Sequence, residues 1–362
     1  MRINALTLLH YRNYKEQSWQ FDKDCIVLYG PNGSGKTNLL EALHVGTLGK
    51  SHRTNDTVDL IQFDADKAGI IVDFEKKDIP QKINIVLARK GKKDIRLNSD
   101  KVSQKELIGT LNTVIFSPED LLLIKGSPSL RRRFLDMEIA QTSPLYYQQL
   151  SLYYRALQQR NRILKEYKGR QNLPLDEWDI QLADLASFLV SKRLESLKKL
   201  NLLIDLMNRR LTDGREDLSL TYEQPYSQDG YMYQKEAFRE ALSKALPIDR
   251  MRLTTSVGPH RDDLRFYSGP LDLRKYGSQG QQRTAILSVK LSELEFIKSE
   301  VGEYPVLLLD DVLSELDKER RQNLLGFVHK QHIQTFITTT DLQETAQIGD
   351  AQCIYCGESK HG

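Results

Sequence analysis

The 362-residue chain carries 52 Lys and Arg against 49 Asp and Glu, a net charge of +3, with 40% hydrophobic and 28% charged residues. That composition suits a globular protein with a sizeable core, and the length suggests two lobes. No apolar run approaches the ~18 residues a membrane span requires, and three cysteines are too few for a disulfide scaffold.

Residues 1–28 alternate apolar and polar side chains and predict half-buried strands. The N-terminus, Met1-Arg2-Ile3-Asn4-Ala5-Leu6, lacks the long apolar core of a secretion signal, so a cytoplasmic protein is expected. The apolar run Cys25–Leu28 leads into Tyr29-Gly30-Pro31-Asn32-Gly33-Ser34-Gly35-Lys36-Thr37. A predicted helix, Asn38-Leu39-Leu40-Glu41-Ala42-Leu43, follows. Strand, glycine loop and helix are the context that makes this motif a phosphate-binding loop. The glycines let backbone N–H groups curve around phosphates, and the helix N-terminus adds partial positive charge. Lys36 is expected at the β- and γ-phosphates of a nucleoside triphosphate such as ATP, and the Thr37 hydroxyl on Mg²⁺.

Arg53 follows in Gly49-Lys50-Ser51-His52-Arg53, as a second nucleotide contact or a plain surface residue. Strands are predicted around Ala68–Phe74 and Lys82–Arg89. The basic run Arg89-Lys90-Gly91-Lys92-Lys93 then reads as a hairpin tip. Strand Thr113–Phe116 ends at the turn signal Ser117-Pro118-Glu119-Asp120.

From Ser129 to Leu211 the pattern turns helical. Leu194, Leu197, Leu200, Ile204, Met207 and Leu211 step by three and four. An unbroken helix from Trp178 to Leu211 would be roughly 50 Å long. Pro144 interrupts the earlier helical face, while Gly169 and Pro174 mark the turn before the long helix. This predicts an inserted helical lobe over 129–247, between head segments 1–128 and 248–362. Tyr146-Tyr147 and Tyr153-Tyr154 are read as bundle core. Residues 129–170 hold nine Lys or Arg against three acids, Arg131, Arg132 and Arg133 leading the run. This run and the tip at Arg89, Lys90, Lys92 and Lys93 are either solvated surface or a DNA contact.

Strand Leu218–Tyr222 and helix Lys235–Leu246 are predicted next. Gly258-Pro259-His260-Arg261-Asp262-Asp263, between two strand-like runs, reads as a turn whose side chains hold local backbone. Metal ligation would need ligands from elsewhere, as it would at Cys353 and Cys356. In Tyr276-Gly277-Ser278-Gln279-Gly280-Gln281-Gln282-Arg283, Ser and Gly open a helix and offer N–H groups and a hydroxyl to an anion. Val306-Leu307-Leu308-Leu309-Asp310-Asp311 is a buried, parallel-type strand whose carboxylates face the crevice where α/β folds bind ligands. Asp310 is placed for Mg²⁺, and Asp311 to orient or deprotonate the attacking water.

A phosphate loop, a serine-glycine-glutamine signature and a Walker-B strand followed by Ser314-Glu315-Leu316-Asp317 resemble ABC-type ATPases, and the large insertion resembles their SMC and RecF branch. Tyr11-Arg12-Asn13-Tyr14, Phe116–Leu121, Arg131–Asp136, Gly258–Asp263, Gln279–Arg283 and Leu309–Asp317 together resemble the RecF family from end to end. The resemblance implies an α/β, ABC-type P-loop ATPase head with a mixed sheet, flanking helices and an inserted long-helix lobe. It implies a slow, weakly DNA-stimulated ATPase that forms an ATP-dependent homodimer on gapped, single-stranded or junction DNA. RecR and RecO are its implied partners in loading RecA. Across the dimer, Ser278 with Gly280 and Gln281 is expected at the partner's γ-phosphate, and Ser314 and Asp317 at the seam. Three departures from the wider ABC pattern stand out. Asp311 replaces the usual glutamate, Thr338-Thr339-Thr340 follow the predicted last strand Gln334–Ile337 where a switch histidine is usual, and Ser117-Pro118-Glu119 occupies the Q-loop region. A DNA clamp and an ATP-regulated protein scaffold both fit. A transporter motor is disfavoured by the insertion, and a small-molecule kinase would leave the signature without a role.

Overall fold

The cleanest alternation of apolar and polar residues gives the first strands of the chain. In the computed structural model, which describes residues 1–54, 56–168, 172–227, 230–340 and 350–357, β1 (Arg2–Tyr11) pairs antiparallel with β2 (Tyr14–Gln20). The apolar β3 (Cys25–Tyr29) feeds α1 (Lys36–Leu48), which is buried on nearly every side. The hairpin β4 (Lys67–Lys76) and β5 (Ile79–Ala88) continues into β6 (Asp94–Leu97), β7 (Asp100–Lys101), the single turn α2 (Gln104–Leu107) and β8 (Thr113–Phe116). The α3 turn (Leu122–Lys125) and α4 (Pro128–Thr142) open the helical region. Pro144, which cannot donate into a helix interior, instead starts α5 (Pro144–Glu166).

The helix expected over Trp178–Leu211 is α6 (Asp176–Thr212), 37 residues without a break. Then come β9 (Ser219–Glu223), α7 (Lys235–Arg252), β10 (Asp263–Ser268), β11 (Leu271–Asp272), α8 (Leu273–Tyr276) and α9 (Gln279–Val301). The chain ends in β12 (Val306–Leu309), α10 (Lys318–Lys330), β13 (Thr335–Thr339) and β14 (Ala351–Tyr355). Gly169, expected at the turn before the long helix, lies outside the described residues, as does Arg170.

Two compact units result, residues 1–120 with 286–362, and residues 121–285. The first holds a six-stranded sheet in the order β2-β1-β4-β5-β6-β7 and a five-stranded sheet in the order β14-β3-β13-β12-β8. Every pair in the second sheet is parallel. Its inner strands β12 and β13 are buried along their whole length, as strands covered on both faces must be. The parallel order sets β3, β12 and β13 side by side, so the loops at their C-terminal ends meet. In the second unit α5 packs on α6 and α6 on α7, beside the small sheet β11-β10-β9. Tyr146 and Tyr153 are core, whereas Tyr154 is 44% exposed.

Three expectations need correction. Helix α7 does not stop before Pro247 but runs on to Arg252. Asp249 in that extension is fully buried and accepts from Arg160 and Ser256, and this anchorage holds the last turn against proline's disruption. No strand precedes the Gly258–Asp263 turn, because α7 ends at Leu253 in the left-handed region and only β10 follows. Finally, β13 includes Thr338 and Thr339 and is not the last strand, since β14 pairs outside β3.

Candidate nucleotide-binding site

The loop between β3 and α1 is shaped by backbone that only glycine tolerates. At Gly35, φ is +106°, and a Cβ there would lie 2.6 Å from Asn13 Nδ2 and 2.7 Å from the Tyr14 hydroxyl. The Tyr11–Tyr14 turn is thus packed against the loop. Asn13 donates to the Ser34 carbonyl at 3.4 Å and accepts from Asn38 at 2.9 Å. Arg12 makes a two-pronged contact with Glu41 of α1, Nε and Nη2 each 2.9 Å from a carboxylate oxygen. Burial pushes the Glu41 carboxyl up, but hydrogen bonds from Arg12 and Ser51 and the Arg12 and Arg53 charges outweigh it and hold it below the usual range. Arg53 lies at the same edge, donating to Asn38 Oδ1 at 3.0 Å and reaching Glu41 at 3.4 Å.

Lys36 is only 9% exposed. Its ammonium donates to the carbonyls of Gly30, at 2.7 Å, and Pro31, at 2.9 Å. Both are neutral acceptors. A buried cation solvated only by carbonyls calls for an anion. The Ser34 hydroxyl is also buried, with no partner among the described residues. Together these features fit a phosphate group.

Thr37 donates to Asp310 Oδ1 at 2.9 Å, and Thr338 of β13 donates to the same oxygen at 2.9 Å. Burial pushes the Asp310 carboxyl up, and the two hydroxyl bonds offset this only in part. A dry carboxylate beside a threonine hydroxyl is an all-oxygen donor set suited to a hard divalent cation such as Mg²⁺. Asp311 has φ of +54° and is exposed. That conformation is held from two sides: its N–H donates to Thr338 Oγ1 at 2.8 Å, and its carbonyl accepts from Ser314 at 2.8 Å. Asp317 caps α10, accepting from Arg320 N–H at 2.9 Å and pairing with the Arg320 guanidinium.

The sequence reading missed two contributors. Glu41 was hidden as one letter in a helix read only for its apolar face, although a carboxylate amid buried residues is itself a signal for an internal cation. Thr338 was read as a missing histidine, yet it ties both aspartates to the sheet.

The signature segment, in the second unit, opens α9. Ser278 and Gln281 cap it reciprocally, Ser278 N–H to Gln281 Oε1 at 3.0 Å and Gln281 N–H to Ser278 Oγ at 3.2 Å. Gly280 lies in the first turn and is exposed. Gln282 instead points inward to the Leu273 carbonyl at 2.8 Å.

The basic residues divide sharply. Arg131 is turned inward: it is 2% exposed and grips both oxygens of Asp263 at 2.7 and 2.9 Å. Arg160 is equally internal, between Asp179 and Asp249. Arg89 is engaged by the carbonyls of Gln62, Phe63 and Ala65. Lys93 binds Gly49 O and Gln104, and burial together with Lys50 pulls its ammonium down to about 8. At the hairpin tip Lys90 and Lys92 remain exposed, as does Arg133 in α4. Arg132 is half-buried and donates to the Asp262 carbonyl at 2.6 Å.

The His260 turn is a structural hub. His260 bonds Tyr153 and the Thr255 carbonyl, and burial, with nearby arginines, lowers it to about 4. Asp262 accepts from Tyr222, Tyr226 and Arg193, all distant in sequence, whereas Arg261 and Asp263 hold local backbone as expected, at the Thr255 carbonyl and the Leu264 N–H. Among the described residues no group of three or more His, Cys, Asp or Glu is placed to hold a metal, and no helix is long and apolar enough to cross a membrane.

Residues 2–360 match the family model described as the RecF/RecN/SMC N terminal domain. The DNA replication and repair protein RecF of Alkaliphilus oremlandii is 43% identical over 347 residues, covering 95% of this chain and 94% of that protein. RecF of Bacillus subtilis is 42% identical over 348 residues, covering 94% of each. The solved structure of the recombination mediator protein RecF with ATP, in the RecFOR pathway, superposes with a TM-score of 0.90 at 34% identity, covering 98% of this chain and 95% of that one. An Smc head domain from Pyrococcus furiosus shares the fold, with a TM-score of 0.55 at 18% identity. With the glycine loop, buried lysine and paired Thr37 and Asp310 in place, the chain belongs to the RecF family of DNA replication and repair proteins, within the ABC/SMC-type ATPases.

Proposed function

We propose that this protein is an ATP-gated clamp on DNA in recombinational repair. The observation that carries the reading is the buried Lys36 ammonium, which bonds no carboxylate among the described residues, one residue from the Thr37–Asp310 contact. Gly30 through Thr37, with Asn38 and Arg53 at the rim, hold the triphosphate of ATP, and Thr37 and Asp310 hold Mg²⁺. The bound cation screens phosphate charge. Asp311, fixed by Thr338 and Ser314, orients the attacking water; being one methylene shorter than glutamate, it favours slow turnover.

Ser278, Gly280 and Gln281 of one subunit meet the nucleotide of its partner, with Ser314 and Asp317 at the seam, so ATP drives head-to-head dimerisation. Residues 129–247 form the inserted lobe on a head made by 1–128 and 248–362. Lys90, Lys92, Arg132 and Arg133 are the basic residues assigned to phosphate at gaps or single-strand/double-strand junctions. DNA weakly stimulates hydrolysis, which releases the clamp. RecR and RecO are the partners in loading RecA, in the cytoplasm.

A second reading, an ATP-regulated scaffold with weak DNA affinity, gains support from the internal engagement of Arg131 and Arg160, which thins the basic surface. Sedimentation with gapped DNA, with and without ATP, separates the two. An ATP-dependent, DNA-bound dimer that Ser278→Arg cannot form supports the clamp. A protein that stays off DNA in both conditions supports the scaffold.

A further inference from the structure

The signature serine is held from behind by a residue that no motif marks. Gln281, which caps Ser278, donates through Nε2 to Glu216 Oε1 at 3.2 Å. Glu216 follows the end of α6, where Asp213 and Gly214 turn the chain through the left-handed region, with φ of +51° and +73°. Its backbone is fastened to the last turns of that helix. The Glu216 carbonyl accepts from Asn208 Nδ2 at 2.7 Å, and its N–H donates to Thr212 Oγ1 at 3.4 Å. A chain of hydrogen bonds therefore runs from α6 through Glu216 and Gln281 to Ser278, all within the second unit.

The chemistry of each link sets its direction. A carboxylate only accepts, so Glu216 selects the NH₂ edge of the Gln281 amide. That choice turns Oε1 toward Ser278, whose N–H is one of the orphan donors at the start of α9. The opposite amide orientation would set two donors face to face.

We infer that Glu216 is a positioning residue for the signature segment: it locks the Gln281 amide in the orientation that caps Ser278, and so presets Ser278 for the nucleotide of a partner subunit. The inference rests on the contact across the dimer proposed above. It also links the end of the long helix to the dimer contact through hydrogen bonds within the second unit.

The test is the ATP-dependent dimer dissociation constant, from sedimentation velocity of the full chain. Glu216→Ala frees the amide and should weaken the dimer about tenfold, since two preset side chains per dimer lose their restraint. Glu216→Lys presents donors only and should weaken it further. Glu216→Gln can still present an acceptor and should stay within about threefold of wild type. Gln281→Ala, which also removes a group assigned to the partner's nucleotide, should weaken the dimer at least as much as Glu216→Ala, and the double variant should be no worse than Gln281→Ala alone. Thermal melting run on every variant separates this from a folding defect, which would lower the melting temperature together with the dimer affinity. If Ser278→Arg abolishes dimers while Glu216→Ala and Glu216→Lys dimerise like wild type, the inference is wrong and the contact across the dimer survives. Should Ser278→Arg dimerise normally, or the wild type fail to dimerise with ATP, the parent reading falls and this one with it. Equal loss in the Gln and Ala variants, at unchanged melting temperature, would also overturn it.

Discussion

Replacing Arg131 by alanine separates a structural arginine from a DNA contact. Arg131 is 2% exposed and its partner Asp263 15%. The substitution removes two bonds to that carboxylate and two to carbonyls, Gly126 at 2.8 Å and Leu123 at 3.3 Å. Breaking a buried pair costs about 3–5 kcal/mol, because the remaining charge is left unpartnered. Asp263 keeps a rim of solvent and the Leu264 N–H, at 2.8 Å, as a donor. The expected loss is therefore at the lower end, about 3 kcal/mol. With a urea slope of about 2.5 kcal/mol per molar, the midpoint should fall by about 1.2 M. Two compact units need not unfold together, so the transition of the second is best followed through Trp178 of α6 in a Trp19→Phe background. DNA affinity measured over a salt series should keep its slope. A midpoint shift under about 0.3 M, together with a slope lowered by about one, would refute the burial argument and restore Arg131 as a phosphate contact. Arg131→Met with Asp263→Leu should recover most of the lost stability, since a matched apolar pair leaves no stranded charge.

Lys90→Ala and Lys92→Ala, at exposed positions, should each lower the salt slope of DNA binding by about one with stability within ±0.5 kcal/mol. Asp310→Asn keeps an acceptor for Thr37 but removes the charge; magnesium-dependent ATP hydrolysis should fall on the order of 100-fold in a phosphate-release assay. Lys36→Arg puts a planar guanidinium where a compact ammonium sits between two carbonyls, and ATP-dependent dimers should weaken in sedimentation. Glu41 predicts an acid effect: its folded-state carboxyl lies below its ordinary value, so its contribution is present above about pH 4.5 and lost as pH falls through the folded value. Melting between pH 6 and 3 should show a smaller acid decline in Glu41→Gln than in wild type.

Local chemistry made much of the site legible. The glycine loop needs φ values that few other residues adopt, so its composition betrays it. The four-residue apolar strand ending in two aspartates is equally plain, because a strand buried on both faces has no room for polar residues except at its end. The C-terminal half of α6 was legible from period, since Leu194, Leu197, Leu200, Ile204, Met207 and Leu211 step by three and four, whereas its start at Asp176 was not. Charge was less legible. Arg131 and Arg133 are two letters apart and look alike in sequence, yet a step of two on a helix turns the side chain by about 200°, placing one in the core and the other at the surface.

The sequence by itself determined the glycine loop, the Asp310 strand, the long helix and the family, because each rests on short motifs whose residues are neighbours in the chain. Tertiary structure alone decided which long-range partners each charge meets: Arg12 with Glu41, Thr338 with Asp310, Arg131 with Asp263, Glu216 with Gln281. The physical reason is the cost of dehydrating a charge. A buried ion persists only where the fold supplies an opposite charge or hydrogen-bond partners within about 3 Å, and those partners can lie anywhere along the chain.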